Sequence, residues 1–150
     1  MLVYRLPRAP STPRITLWRK LRRLGVAQIV DGVVALPAGG DAREQLEWLA
    51  EEVVQAGGEA TVWLAEPATA AEHRALARAM TDRVDAEYRA VAEAAASAQS
   101  SGPVERRRTL ARLRRELRRV GARQYFPTRE AETARKAVEA LAKTAAGAAA

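Results

Sequence analysis

Nine arginines crowd the stretch Pro103 to Arg123, PVERRRTLARLRRELRRVGAR: Arg106, Arg107, Arg108, Arg112, Arg114, Arg115, Arg118, Arg119 and Arg123. Two acids, Glu105 and Glu116, stand against them. Guanidinium does not lose its proton near neutral pH, and its planar fork bridges phosphate oxygens or reads guanine edges. The chemistry open to this stretch is therefore polyanion binding. Leu110, Leu113, Leu117 and Val120 recur at steps of three and four, so one apolar stripe docks the helix while its other faces stay cationic. A second basic set lies near the start, where Arg19, Lys20 and Arg23 share one helical side and Arg22 sits on its flank. Such a face suits a nucleic-acid backbone or groove.

Residues 1–25 carry a net +7, residues 26–103 a net −8 and residues 104–123 a net +7. Two basic blocks bracketing an acidic middle predict a directed positive surface. The competing reading pairs these blocks with the acidic middle, which would stabilise the chain by only about 0–1 kcal/mol per exposed pair.

Catalytic chemistry finds little to stand on. The chain has no cysteine, which excludes a thiolate metal site, a cysteine nucleophile and a disulfide scaffold. His73 is the sole histidine and lies among alanine and arginine, as a surface residue would. Metal-dependent nuclease chemistry would want a carboxylate near the end of the first strand, and that position reads Tyr4-Arg5-Leu6-Pro7. Glu44, Glu47, Glu51 and Glu52 crowd one helix and read as a solvated or dimer-facing surface. No enzyme, metal site or cofactor is expected. Trp18, Trp48 and Trp63 are expected in a core or an interface, with Trp48 covered by the helical half or by a partner chain.

The elements that must position these residues follow from periodicity and punctuation. Leu2–Leu6 reads as a strand closed by Pro7. Ser11 or Thr12 is the expected N-cap of a helix with Pro13 in its first turn and Gly25 as its stop. Leu17, Trp18, Leu21 and Leu24 fall on one side of it. Val26–Val30 and Val33–Pro37 flank Asp31-Gly32, which predicts a type I′ hairpin. Asp41 and Glu44 resemble a capping box for a helix with Leu46, Leu49, Ala50 and Val53 inward, and Gly57-Gly58 ends it. Glu59–Ala65 is the fourth strand. The order β-α-β-β-α-β over residues 1–67 predicts an α+β, ferredoxin-like sandwich with both helices on one face of an antiparallel sheet.

Residues 68–150 predict an antiparallel α-helical extension with helices at about 69–97, 103–121 and 128–146. Thr69 and Glu72 form a capping box, and Ala145–Ala150 is expected to fray. No apolar run approaches the roughly 20 residues of a membrane span, and MLVYRLPR lacks the apolar core of a signal peptide. The expectation is a cytoplasmic protein with no membrane partner.

The stretch LVYRLPRAPSTPRITLWRKLRRLG, then REQLEWLAEEV, then RRTLARLRRELRRVGARQYFP resembles the N-terminal domain of the chromate-resistance regulator ChrB family. More distantly, the first half is similar to the middle domain of PaaX-type repressors and to the small CRISPR adaptation nuclease fold. The resemblance implies a DNA-binding transcription regulator, a repressor of a chromate-resistance operon that chromate or a partner releases. It implies DNA contacts from Arg14, Arg19, Lys20, Arg22 and Arg23. The arginine helix adds Arg107, Arg108, Arg112, Arg115 and Arg119. Double-stranded DNA and a second copy of the chain are the expected partners. Chromate is a tetrahedral dianion, and Arg8, Ser11, Thr12 and Arg14 would be its oxyanion site, the alternative there being a capped, proline-stiffened loop. The other functional reading is a non-catalytic interaction or dimerisation module with a solvated basic face.

Overall fold

Side-chain alternation along four short strands sets out the first part of the chain. The computed structural model describes residues 1–147 and divides into two units, Met1–Met80 and Thr81–Ala150. The first unit contains β1 (Leu2–Arg5), α1 (Thr12–Leu24), β2 (Ala27–Val30), β3 (Val33–Ala35), α2 (Gly40–Gln55) and β4 (Glu59–Val62). The strands form one antiparallel sheet in the order β2-β3-β1-β4.

Two neighbouring cross-strand rows show how the sheet is used. Gln28, Val34, Leu2 and Val62 form one row, and Val30, Val33, Val3 and Thr61 form another. Successive side chains point to opposite faces, so the two rows have opposite fates. Leu2 and Val34 are buried in one cluster with Leu17 and Leu21 of α1 and with Leu46, Leu49 and Val53 of α2. Both helices thus cover the same face. On the other face Val3 and Val30 remain exposed.

Several local expectations are corrected. The Asp31-Gly32 turn is not type I′, which needs positive φ at both residues. Gly32 has φ 76°, but among the described residues no non-glycine residue has a positive φ. A tertiary contact outweighs the dipeptide's preference: the Tyr4 amide donates to Gly32 O at 2.7 Å, and the β2–β3 register shifts between Gln28 and Val30. Neither Ser11 nor Thr12 caps α1, because Ser11 sits at helical dihedrals and makes no side-chain cap bond. The expected stop holds: Gly25, at φ 73°, donates its amide to the carbonyls of Leu21 and Arg22. The Asp41–Glu44 capping box is also absent. Helix α2 starts at Gly40 behind an extended Gly39, which carries Asp41 inside the first turn, where it still favours the positive helix end.

Strand β4 stops at Val62 rather than Ala65. The Met1 ammonium donates to Trp63 O at 2.8 Å and the Trp63 amide to Met1 O at 2.7 Å, so the β1–β4 pairing carries one residue past the strand's end. Trp18 does not share the core with Leu17 and Leu21. One residue on from Leu17, it is rotated out by the helical step and is 52% exposed.

Helices α3 (Ala70–Ala98), α4 (Pro103–Gly121) and α5 (Arg129–Gly147) follow. The capping box at α3 is formed: Glu72 accepts from the Thr69 amide at 3.0 Å, and Thr69 Oγ1 accepts from the Glu72 amide at 3.2 Å. Thr128 Oγ1 caps α5 by accepting from the Ala131 amide at 3.0 Å. The second unit's core joins Val84, Tyr88, Val91 and Ala95 of α3 to Leu110, Leu113 and Val120 of α4. Ala134, Val138 and Leu141 of α5 complete it, and Leu117 packs at its edge. Ala145, expected to fray, is buried there too; residues 148–150 lie outside the described residues. Among the described residues no helix is long and apolar enough to cross a membrane.

Candidate nucleic-acid interface

Helix α1 sorts its basic side chains by the partners each flank meets. Leu17 and Leu21 point into the sheet cluster. At steps of four, Arg14, Trp18 and Arg22 form a stripe along one flank, and the Arg22 guanidinium carbon lies 4.8 Å from the centroid of the Trp18 ring. On the other flank Lys20 Nζ lies 2.6 Å from both carboxylate oxygens of Glu52 on α2. Arg19 and Arg23 occupy the outward face between these flanks. Arg14, Arg19, Arg22 and Arg23 are exposed and make no ion pair among the described residues.

Helix α4 likewise has two kinds of arginine. Arg107, Arg112, Arg114, Arg115 and Arg118 are exposed without an ion pair among the described residues. Arg108 lies 4.0 Å from Glu105, and Arg119 pairs with Glu116; both are single-helix surface pairs of small energetic weight. Arg106, and Arg123 two residues past the end of α4, turn inward. Arg106 donates to Ser101 O at 2.7 Å, Gln99 O at 3.1 Å and Thr144 O at 3.3 Å, tying the α3–α4 turn to α5. Arg123 pairs with Glu87 of α3, with side-chain exposures of 15% and 30%. The cationic surface is therefore smaller than nine arginines suggest. The signal for Arg106 was present: it stands four before Leu110 and seven before Leu113, on the apolar stripe itself.

A hollow of about 580 Å³ opens beside α1, bounded by Tyr4, Ser11, Arg14, Trp18, Gln28 and Asp31 over an apolar floor that includes Leu6 and Leu17. Burial pushes the Tyr4 phenol above the ordinary tyrosine range; Asp31 adds to this and Arg14 opposes it. Of the four residues expected at an oxyanion site, Ser11 and Arg14 line this hollow. Thr12 lines a separate depression with Pro10 and Leu6, and Arg8 is exposed and lines neither.

All three tryptophans are more than half exposed. Trp48 and Trp63 are 58% and 54% exposed, so neither lies in a core. Trp48 flanks a shallow groove with Lys20, Arg23, Leu24 and Leu49. His73 is exposed on α3, and among the described residues no group of three acidic or histidine side chains is placed to hold a metal.

The chain matches a known family over parts of both units. The model of the N-terminal part of protein ChrB covers residues 14–100, more than half of the chain, and the chain belongs to that family. Neither a curated protein nor a solved structure matches it.

Proposed function

We propose that the chain is a cytoplasmic DNA-binding transcription regulator of a chromate-resistance operon, acting as a repressor that chromate or a partner releases. The observation that carries this reading is the unneutralised set Arg14, Arg19, Arg22 and Arg23 on α1 of a ChrB-family chain. Were the basic blocks there to pair with the acidic middle, these side chains would meet carboxylates; Lys20 alone on α1 does so. Arginines held out in solvent keep their charge available for phosphate oxygens. Arg107, Arg108, Arg112, Arg115 and Arg119 on α4 are proposed as further phosphate contacts.

The same reading takes residues 1–67 as a ferredoxin-like domain, supported by the β-α-β-β-α-β order and the strand order β2-β3-β1-β4, and residues 68–150 as its helical extension. A homodimer is proposed through the outer sheet face, where Val3 and Val30 lie exposed. Chromate is proposed to bind by Ser11 and Arg14, with Arg8 and Thr12 completing the oxyanion site only after local rearrangement. A gel-shift assay with DNA from upstream of the chain's own coding sequence tests the reading. Binding that the double change Arg19→Ala, Arg23→Ala weakens at least tenfold supports it, and unchanged binding places the site elsewhere.

A further inference from the structure

Trp18 is a large apolar ring held in solvent on the most basic helix of the first unit, with an arginine one turn before it and one turn after. Leu17 and Leu21 beside it reach the core, while the helical step turns Trp18 away from it. Its ring instead borders the hollow beside α1, whose volume of about 580 Å³ falls in the range of small-molecule sites, roughly 300–1,000 Å³. A tetrahedral oxyanion would leave most of that space empty. The lining has three chemical parts. Arg14 and the uncapped Ser11 hydroxyl suit a phosphate. Trp18 and Ile15 suit a flat apolar ring. Asp31 and Gln28, supplied by β2 and the turn after it, suit a base edge carrying N–H donors, and Arg14 and Asp31 make no ion pair with each other.

We infer that this hollow holds one unpaired nucleotide of a bound DNA strand, its base against Trp18, its phosphate on Arg14 and its hydrogen-bonding edge on Asp31. The inference rests on the DNA-binding reading above and deepens it. Stacking on an aromatic side chain tolerates any base, because each base has a π-face. Asp31 adds a preference for guanine, whose adjacent N1–H and N2–H groups match the two oxygens of a carboxylate. Extruding a paired base opposes binding, and a nucleotide that is already unpaired removes that cost.

The test uses the full chain carrying Trp48→Phe and Trp63→Phe, both at exposed sites, so that Trp18 is the sole indole. Two duplexes of equal length are compared, one fully paired and one with a single bulged guanine. The expected result is about tenfold tighter binding of the bulged duplex, with quenching of Trp18 emission. Trp18→Ala, made in the wild-type chain, should abolish that preference while leaving paired-duplex affinity within about threefold, and Trp18→Phe should keep most of it. Asp31→Asn should level the affinities for bulged guanine and bulged thymine. Equal affinity for both duplexes with unchanged Trp18 emission overturns the inference and leaves the DNA-binding reading intact. Binding of neither duplex overturns both. Quenching by free guanosine monophosphate with none from the bulged duplex overturns the strand-borne nucleotide.

Discussion

The Lys20 ammonium lies 2.6 Å from the Glu52 carboxylate, and this one pairing separates the basic side chains of α1 into two groups. Lys20 bridges α1 to α2. Arg19 and Arg23, on the adjoining outward face, meet no carboxylate among the described residues. Lys20→Ala should therefore weaken DNA binding by no more than about threefold, while Arg19→Ala and Arg23→Ala should each reduce the salt slope by about one. Gel shifts of the three single variants at several salt concentrations check this. Both partners of the Lys20–Glu52 pair are substantially exposed, so its loss should change stability by less than about 1 kcal/mol.

The arginines of α4 should divide in the opposite sense. Arg123→Ala leaves Glu87 partly buried without its partner and should destabilise the second unit by about 1–3 kcal/mol, below the roughly 3–5 kcal/mol of a fully buried pair. Arg115→Ala removes an exposed, unpaired charge and should leave the melting temperature unchanged while weakening DNA binding. Thermal unfolding and gel shifts on both variants give the comparison.

Gly32 allows a close backbone approach in the first unit. A Cβ there would lie 2.4 Å from Tyr4 O, and its φ of 76° disfavours any other residue. Gly32→Ala should cost at least about 1–3 kcal/mol, read as a lower denaturation midpoint. The same change at Gly39, where a Cβ would meet nothing within 4 Å, should be tolerated.

All three tyrosines hold their phenol protons more tightly than usual, in each case chiefly through burial. At Tyr88, which donates to Gln124 Oε1 at 2.6 Å, Arg135 opposes the effect of burial. A group with a raised folded-state pKa adds stability below its unfolded value, about 10 for tyrosine, and loses it as pH rises through the folded value. Phenolate absorbance of the folded chain should therefore titrate above the ordinary range, and stability should fall as pH climbs beyond about 10. Tyr88→Phe should flatten part of that fall.

Much of this architecture was legible because periodicity is a local property. Leu46, Leu49 and Val53, or Val84, Tyr88 and Val91, announce their buried faces by spacing alone. The departures have a common physical origin in contacts between residues distant in sequence. Asp31-Gly32 is displaced from its favoured turn by the Tyr4 amide of β1. Arg106 is drawn inward by carbonyls of the α3–α4 turn and of α5, and Arg123 by a carboxylate on α3. Trp18 illustrates the converse: its neighbours Leu17 and Leu21 suggested burial, and a single helical step of rotation decided against it. The hollow beside α1 gathers Tyr4, Arg14 and Asp31 from three separate elements, so no local pattern could display it.

Salt dependence tests the central claim most directly, because neutralising phosphates releases counterions in proportion to the contacts made. With six to ten arginine–phosphate contacts, affinity for duplex DNA should fall by about 10³–10⁵ between 50 and 200 mM salt. A Kd that stays constant over that range would contradict the proposal that the exposed arginines of α1 and α4 bind DNA.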